Sequence, residues 1–285
     1  MNRREVIAAT SLVGLGLMMP SSLPLRAEEV WQTLPAEPPM PKADDTGTAP
    51  VNGIEMYYAV YGEGPPLLML HGGLGHSDVW GAQLPEFSKK HTVVCLDSRG
   101  HGRSTRTAEP YSYALMAKDV VAAMDHLKIP KASIVGWSDG GIIGLDIALN
   151  HADRLDRLFA FGANTNLKGL KPDIDKNPTF AKYIERMGED YKKLSKTPDK
   201  YDDFVAAVSQ MWATQPDYKA EQLATIKTPV AISDGEHDEA IRLEHNSEMA
   251  KDIPGAKLVI LPGVSHFAFW QKPEEFNSAV TDFLA

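Results

Sequence analysis

The 285-residue sequence predicts an α/β fold, a mostly parallel sheet flanked by helices with a helical segment inserted late in the chain. Three observations predict it. From about residue 51 onward, short continuously apolar runs alternate with amphipathic stretches. Strands that are apolar throughout are buried on both faces, as in a parallel sheet covered by helices. Several of the apolar runs end in loops rich in Gly, Ser, Asp and His, and one polar stretch, residues 166–225, interrupts the alternation.

The elements follow in order. A basic start through Arg4 precedes an apolar, uncharged run over 6–19, and Leu25-Arg26-Ala27 ends on a small residue. This is signal-peptide anatomy over residues 1–27, and the Arg3-Arg4 pair resembles a twin-arginine export signal. The expectation is an exported, periplasmic protein. The apolar run is too short for a permanent span, so no stable membrane association is expected after cleavage. Residues 28–50 are rich in Pro, Glu and Ala and read as an extended linker before a domain over 51–285. Strands are expected at 56–61, 67–70, 92–96, 133–135, 158–161, 230–232 and 258–261. Helices are expected at 80–87, 113–127, 140–149 and 273–284. Residues 166–225, rich in Lys and Asp, suit a helical lid over the C-terminal edge of the sheet.

Composition narrows the function. The net charge of -9 and the absence of a basic cluster exclude a nucleic-acid partner and favour a small-molecule substrate. The single cysteine, Cys95, has no partner for a disulfide and reads as a buried strand residue.

The strongest motif is Gly136-Trp137-Ser138-Asp139-Gly140, placed between an expected strand and an expected helix. So tight a turn lifts a serine hydroxyl above the sheet edge, and side chains at 136 or 140 would collide with backbone. A serine hydroxyl needs a base. Of nine histidines, His266 follows the last strand and lies at the same edge. His71 belongs to a pocket-shaping loop, and His101 suits a structural hydrogen bond. The base needs an acid, and Asp238 follows the strand at 230–232, giving the chain order Ser, Asp, His. Asp234 and Glu236 compete, with Asp234 better suited to capping the turn. An oxyanion would meet the backbone N–H groups of Asp139 and Gly73.

Together, Leu70-His71-Gly72-Gly73, the run from Asp97 to Ser104, the glycine-flanked serine, Gly235 to Asp238 and Gly263 to His266 resemble the α/β-hydrolase superfamily. The resemblance implies an eight-stranded sheet, the triad Ser138, Asp238 and His266, and no metal or organic cofactor. The Gly136 to Gly141 segment, followed by Gly162-Ala163-Asn164, is also similar to the valacyclovir-type α-amino-acid ester hydrolases and to bacterial esterases. In that branch the acid after the nucleophile receives an ammonium group, a role that falls here on Asp139. The alternative is that Asp139 caps the following helix or pairs with a lysine of the insertion. Trp80, Met211, Trp212, Phe267 and Trp270 are expected to line an acyl pocket. The expected activity is hydrolysis of small carboxylic esters through an acyl-enzyme. C–C bond hydrolysis, lactone opening, cofactor-free perhydrolysis and a non-catalytic receptor are the alternatives on the same fold.

Overall fold

Residues 29–285 are described by a computed structural model, so the expected signal segment and its cleavage point lie outside the described residues. Eight strands make one sheet: β1 Asp45–Val51, β2 Ile54–Tyr61, β3 Pro66–Leu70, β4 Thr92–Leu96, β5 Ala132–Trp137, β6 Leu155–Phe161, β7 Val230–Gly235 and β8 Lys257–Leu261. Their order is β1-β2-β4-β3-β5-β6-β7-β8. The pairs β1–β2 and β2–β4 are antiparallel and the rest are parallel. The helices, in chain order, are α1 Leu84–Phe87, α2 Tyr113–His126, α3 Asp139–Asn150, α4 Pro178–Leu194, α5 Tyr201–Trp212, α6 Ala220–Leu223, α7 Leu243–Asp252, α8 Ala268–Gln271 and α9 Pro273–Leu284.

The central strands are apolar because both their faces are covered. Leu67 to Leu70 of β3 and Val93 to Leu96 of β4 are all buried, which a sheet with one wet face would not allow. The outer strand β8 departs from this, with Leu258 44% exposed, because an edge strand at this position lacks full cover.

Two sequence expectations change at the N-terminal side. The supposed linker over 28–50 contains most of β1, which pairs along its whole length with β2. The hairpin between them turns on Asn52 and Gly53, both at positive φ (40° and 78°). Positive φ at both central residues is the type I′ geometry whose twist matches paired strands. The preceding chain is also tied down. Arg186 of α4 donates to the carbonyls of Pro35 and Leu34 (2.7 and 3.2 Å), and Thr179 donates to that of Gln32 (3.1 Å). Gln271 donates to the carbonyl of Thr33 at 2.8 Å. A Pro-rich segment leaves carbonyls free for such donors, since proline has no N–H with which to occupy them in a helix or ladder.

Between β6 and β7 the chain forms the helices α4, α5 and α6. Asn177 starts α4 by accepting from the backbone N–H of Thr179 and Phe180, with Pro178 at the first helical position. Asparagine at the cap and proline just inside satisfy or remove orphan donors. Tyr183, Met187 and Tyr191 recur every four residues and are buried together, so α4 lays one apolar stripe onto the body of the domain.

Candidate active site

Four loops at the C-terminal ends of parallel strands build the site. The first follows β5. Ser138 has φ 53° and ψ -119°, a conformation that non-glycine residues adopt only under constraint. The packing that imposes it is direct. A Cβ on Gly140 would lie 2.1 Å from the carbonyl oxygen of Leu70, and one on Gly136 would lie 2.3 Å from that of Gly140. The chain turns into α3 immediately, and Ser138 and His266 both line one chamber of about 330 Å³.

The second and third loops follow β7 and β8. His266 Nδ1 and Asp238 Oδ2 lie 2.5 Å apart, both side chains buried. Asp238 Oδ1 accepts from the backbone N–H of Ala240 and Ile241 (2.6 and 2.7 Å). Burial opposes the charge of each partner. The pair nonetheless holds the imidazole above its ordinary value, through the neighbouring Asp238 carboxylate, and holds the Asp238 carboxyl below its own, through His266 and the backbone donors. Glu239 supports the loop by accepting from the His266 N–H at 2.9 Å. Burial, with the Asp238 charge adding, pushes its carboxyl up to about 7.

The fourth loop follows β3. His71 braces it: Nε2 accepts from the Ser98 N–H at 2.9 Å, and Nδ1 lies 2.7 Å from the Gly72 carbonyl. Burial lowers this imidazole to about 4, so it is a neutral strut. His101 is likewise buried, with Nδ1 at 2.8 Å from the Arg99 carbonyl. Gly73 lines the chamber. A Cβ there would stand 2.2 Å from the Trp212 ring and 2.8 Å from Asp139 Oδ2, so only glycine lets these groups close over the loop. Among the described residues no backbone carbonyl takes the N–H of Gly73 or Asp139.

Asp139 departs from both alternative roles read from sequence. Among the described residues its carboxylate accepts from no backbone N–H of α3 and pairs with no lysine or arginine. Two neutral donors hold it instead: Tyr113 Oη at 2.8 Å from Oδ1, and Trp212 Nε1 at 3.1 and 3.0 Å from Oδ1 and Oδ2. Burial pushes its carboxyl up to about 6, against the pull of these hydrogen bonds. Among the described residues it is the one acidic side chain lining the chamber.

The expected pocket residues divide. Trp212 lines the chamber. Trp80 and Phe267 do not: both are fully buried in the core, Trp80 against Phe269 and Phe276, and Phe267 stacked on Trp270. Large aromatics near a site fill the core beneath it unless a strand end or lid helix turns them toward the opening. Met211 also faces elsewhere, and Trp270 donates to the carbonyl of Val79 at 2.9 Å. Sequence reading missed Tyr113 and the lid residues Phe180, Tyr183, Ile184 and Val205, which line the chamber. The one available signal was the amphipathic spacing on α4 and α5.

Among the described residues, two groups of three acidic or imidazole side chains bring ligand-type atoms within 4.8 Å of one another: Asp234, Asp238 and His266, and separately Glu37, His76 and Asp190. In the second, His76 Nδ1 accepts from the Asp78 N–H at 3.3 Å. Nε2 faces Asp190 Oδ2 at 3.6 Å, and the surrounding carboxylates, Asp190 foremost, hold the imidazole above its ordinary value against the effect of burial, which favours a protonated Nε2 over a metal ligand. In the first, His266 and Asp238 are already committed to each other.

Comparison with known proteins agrees with this architecture. The family described as alpha/beta hydrolase fold matches residues 65–199. The human serine hydrolase BPHL is 31% identical over 252 residues, covering 82% of this chain and 84% of its own. The 3-oxoadipate enol-lactonase 2 of Acinetobacter baylyi is 29% identical, covering 83% and 94%. The crystal structure of the enol-lactonase from Burkholderia xenovorans LB400 superposes with a TM-score of 0.67 at 26% identity, covering 83% of this chain and 99% of that one. By sheet order, by matched family and by relatives that align over most of both chains, this protein is a hydrolase belonging to the α/β-hydrolase family.

Proposed function

We propose that the protein is a serine hydrolase of small carboxylic esters, with a preference for α-amino-acid esters. Ser138 attacks the acyl carbon and His266 takes its proton. Asp238 holds the imidazole in the tautomer that accepts at Nε2 and stabilises the charge it gains. The N–H groups of Gly73 and Asp139 receive the oxyanion. The oxyanion collapses, the ester C–O bond breaks and His266 gives its proton to the departing alcohol; water then attacks the acyl-enzyme with His266 again as base, Ser138 recovers its proton from the imidazolium, and the acid leaves. Lactones, as cyclic esters, fall within the same chemistry, and the enol-lactonase relatives support including them.

One observation carries the reading. Ser138, held at positive φ, and His266, paired with Asp238, line a single apolar chamber in which Asp139 is the lone carboxylate among the described residues. An apolar wall suits an acyl chain, and a carboxylate with only neutral donors suits a cationic substituent on it. The test is initial rates on p-nitrophenyl esters of short acids, with the wild type and Ser138→Ala, and intact mass for an acyl adduct. Turnover and an adduct in the wild type, both lost in the variant, are expected. Undiminished turnover by Ser138→Ala would falsify the assignment.

A further inference from the structure

We propose that Asp234 is a positioning residue, a protonated carboxyl that donates its hydrogen bond to the Asp238 carboxylate and so fixes the acid that orients His266. The inference rests on the serine-hydrolase reading above and adds a fourth member behind the three.

The geometry begins with the length of β7. The strand runs on to Gly235, beyond the 230–232 read from sequence, and this draws Asp234 into the sheet end instead of leaving it in a turn. Its side chain is fully buried. Oδ1 accepts from the Gly235 N–H at 2.8 Å and Oδ2 from Asn246 Nδ2 at 2.7 Å. One oxygen of Asp234, one of Asp238 and a ring nitrogen of His266 lie within 4.8 Å of one another.

Two carboxyl groups this close, away from water and beside one imidazole, do not both ionise. The donors around each decide which one keeps the charge. Asp238 has two backbone N–H donors and the His266 ring, the last able to become cationic. Asp234 has one backbone N–H and one neutral amide. The charge therefore stays on Asp238, the proton stays on Asp234, and Asp238 is the acceptor across from it. Burial, reinforced by the Asp238 charge, pushes the Asp234 carboxyl well above its ordinary range. The other groups facing the pair are Glu239, which accepts from the His266 N–H, Asn246 on α7, and Lys171, whose Nζ donates to the Asp238 carbonyl.

The donated bond has two consequences. It prevents the Asp238 carboxylate from swinging away from His266 Nδ1. It also withdraws some charge from Asp238, so that His266 releases its proton more readily.

The experiment uses Asp234→Asn, which keeps a neutral donor, and Asp234→Ala, which removes it. Both are measured as full pH–rate profiles on a neutral ester, beside infrared spectra at about pH 8.5, where carboxyls near 6 and 7 are ionised. Asp234→Asn is expected to stay within about threefold of wild-type kcat/KM with the acid limb unmoved. Asp234→Ala is expected to lose about tenfold or more in kcat at little change in KM, with the acid limb moved to higher pH. The protonated-carboxyl carbonyl band should be present in the wild type and in Ser138→Ala, and absent in Asp234→Asn. An acid limb lowered by about a unit in Asp234→Asn means an ionised Asp234 and overturns the proposal. So does a missing band, or an Asp234→Ala variant with wild-type kcat and profile. If Asp234→Ala does not fold, the band and the Asp234→Asn profile decide. Turnover by Ser138→Ala would overturn the serine reading, whereas loss of the band alone overturns this inference and leaves that reading standing.

Discussion

Replacing Asp139 by Asn removes one charge from the chamber while sparing its packing. Oδ1 accepts from both Tyr113 and Trp212, so an asparagine with its oxygen in that place keeps a bond to each and gives up only the 3.0 Å bond from Trp212 to Oδ2. An ammonium about 4 Å from the carboxylate gains about 4 kcal/mol at an effective dielectric of about 20. Stripping water from the ammonium takes back part of this, leaving about 1.5–3 kcal/mol, or roughly 10- to 150-fold in kcat/KM. The assay compares p-nitrophenyl esters of a neutral acid and of a matched α-amino acid at about pH 7, corrected for spontaneous hydrolysis. There the amine is largely charged, and a carboxyl titrating at about 6 is largely ionised. Wild type should prefer the amino ester by tenfold or more, and Asp139→Asn should erase the margin. A wild type that prefers the neutral ester, or a variant that slows both substrates equally, refutes the charge-reading role. Stability gives an independent check. A folded carboxyl raised from 3.8 to about 6 binds a proton in the folded chain that the unfolded chain has released. Stability therefore falls as pH rises from about 4 to 6, by about 3 kcal/mol in all. Above that window Asp139→Asn should melt higher than wild type.

Other expectations follow from the same geometry. Asp238→Asn should leave the fold intact and lower kcat by about 10³- to 10⁴-fold at neutral pH, since the amide presents the wrong hydrogen-bonding face to His266 Nδ1; a loss of tenfold or less would remove Asp238 from its role. The kcat/KM profile on a neutral ester should lose activity as pH falls through the His266 pKa, which the Asp238 carboxylate raises above the ordinary imidazole value against the effect of burial; an acid limb clearly below the ordinary imidazole range contradicts the pairing. Gly140→Ala, whose new Cβ would lie 2.1 Å from the Leu70 carbonyl oxygen, should cost about 2–4 kcal/mol in urea unfolding, or fail to fold, because backbone rather than a flexible side chain must yield.

The parallel half of the sheet was legible because burial on both faces leaves a simple mark, a continuous apolar run. Thr92–Leu96 was read to the residue for that reason, and the glycine-flanked serine was placed because steric exclusion at Gly140 admits no other residue type. The antiparallel edge was less visible. Asp45–Val51 carries Asp, Gly, Ala and Pro, which lower strand propensity, yet Asn52-Gly53 was a hairpin signal in plain view. The strand over Val230–Gly235 was read short because Ser233 and Asp234 are polar, although burial pairs Asp234 with Asn246 across twelve residues of chain. Such pairing leaves no local trace. The same holds for Asp139: its position after Ser138 was plain, but Tyr113 and Trp212, the donors that hold it without neutralising it, come from two distant helices.

The site follows from strand order more than from any single motif. β3, β5, β7 and β8 run parallel, so their loops all emerge at one edge, and crossover connections let residues far apart in sequence meet there. Ser138 sits at the strand-to-helix turn after β5, with the start of α3 beneath it. The His266–Asp238 pair closes across the adjacent edge, and the β3 loop faces Ser138 from the other side. What the strands leave open is the roof, and α4 and α5 supply it with aromatic and aliphatic residues and Ser209, none of them an acid or base. On the proposed reading the chemistry belongs to the sheet edge and the fit to the insertion. A substitution on α4 or α5 should move KM and the choice of acyl group, and one at the four loops should move kcat.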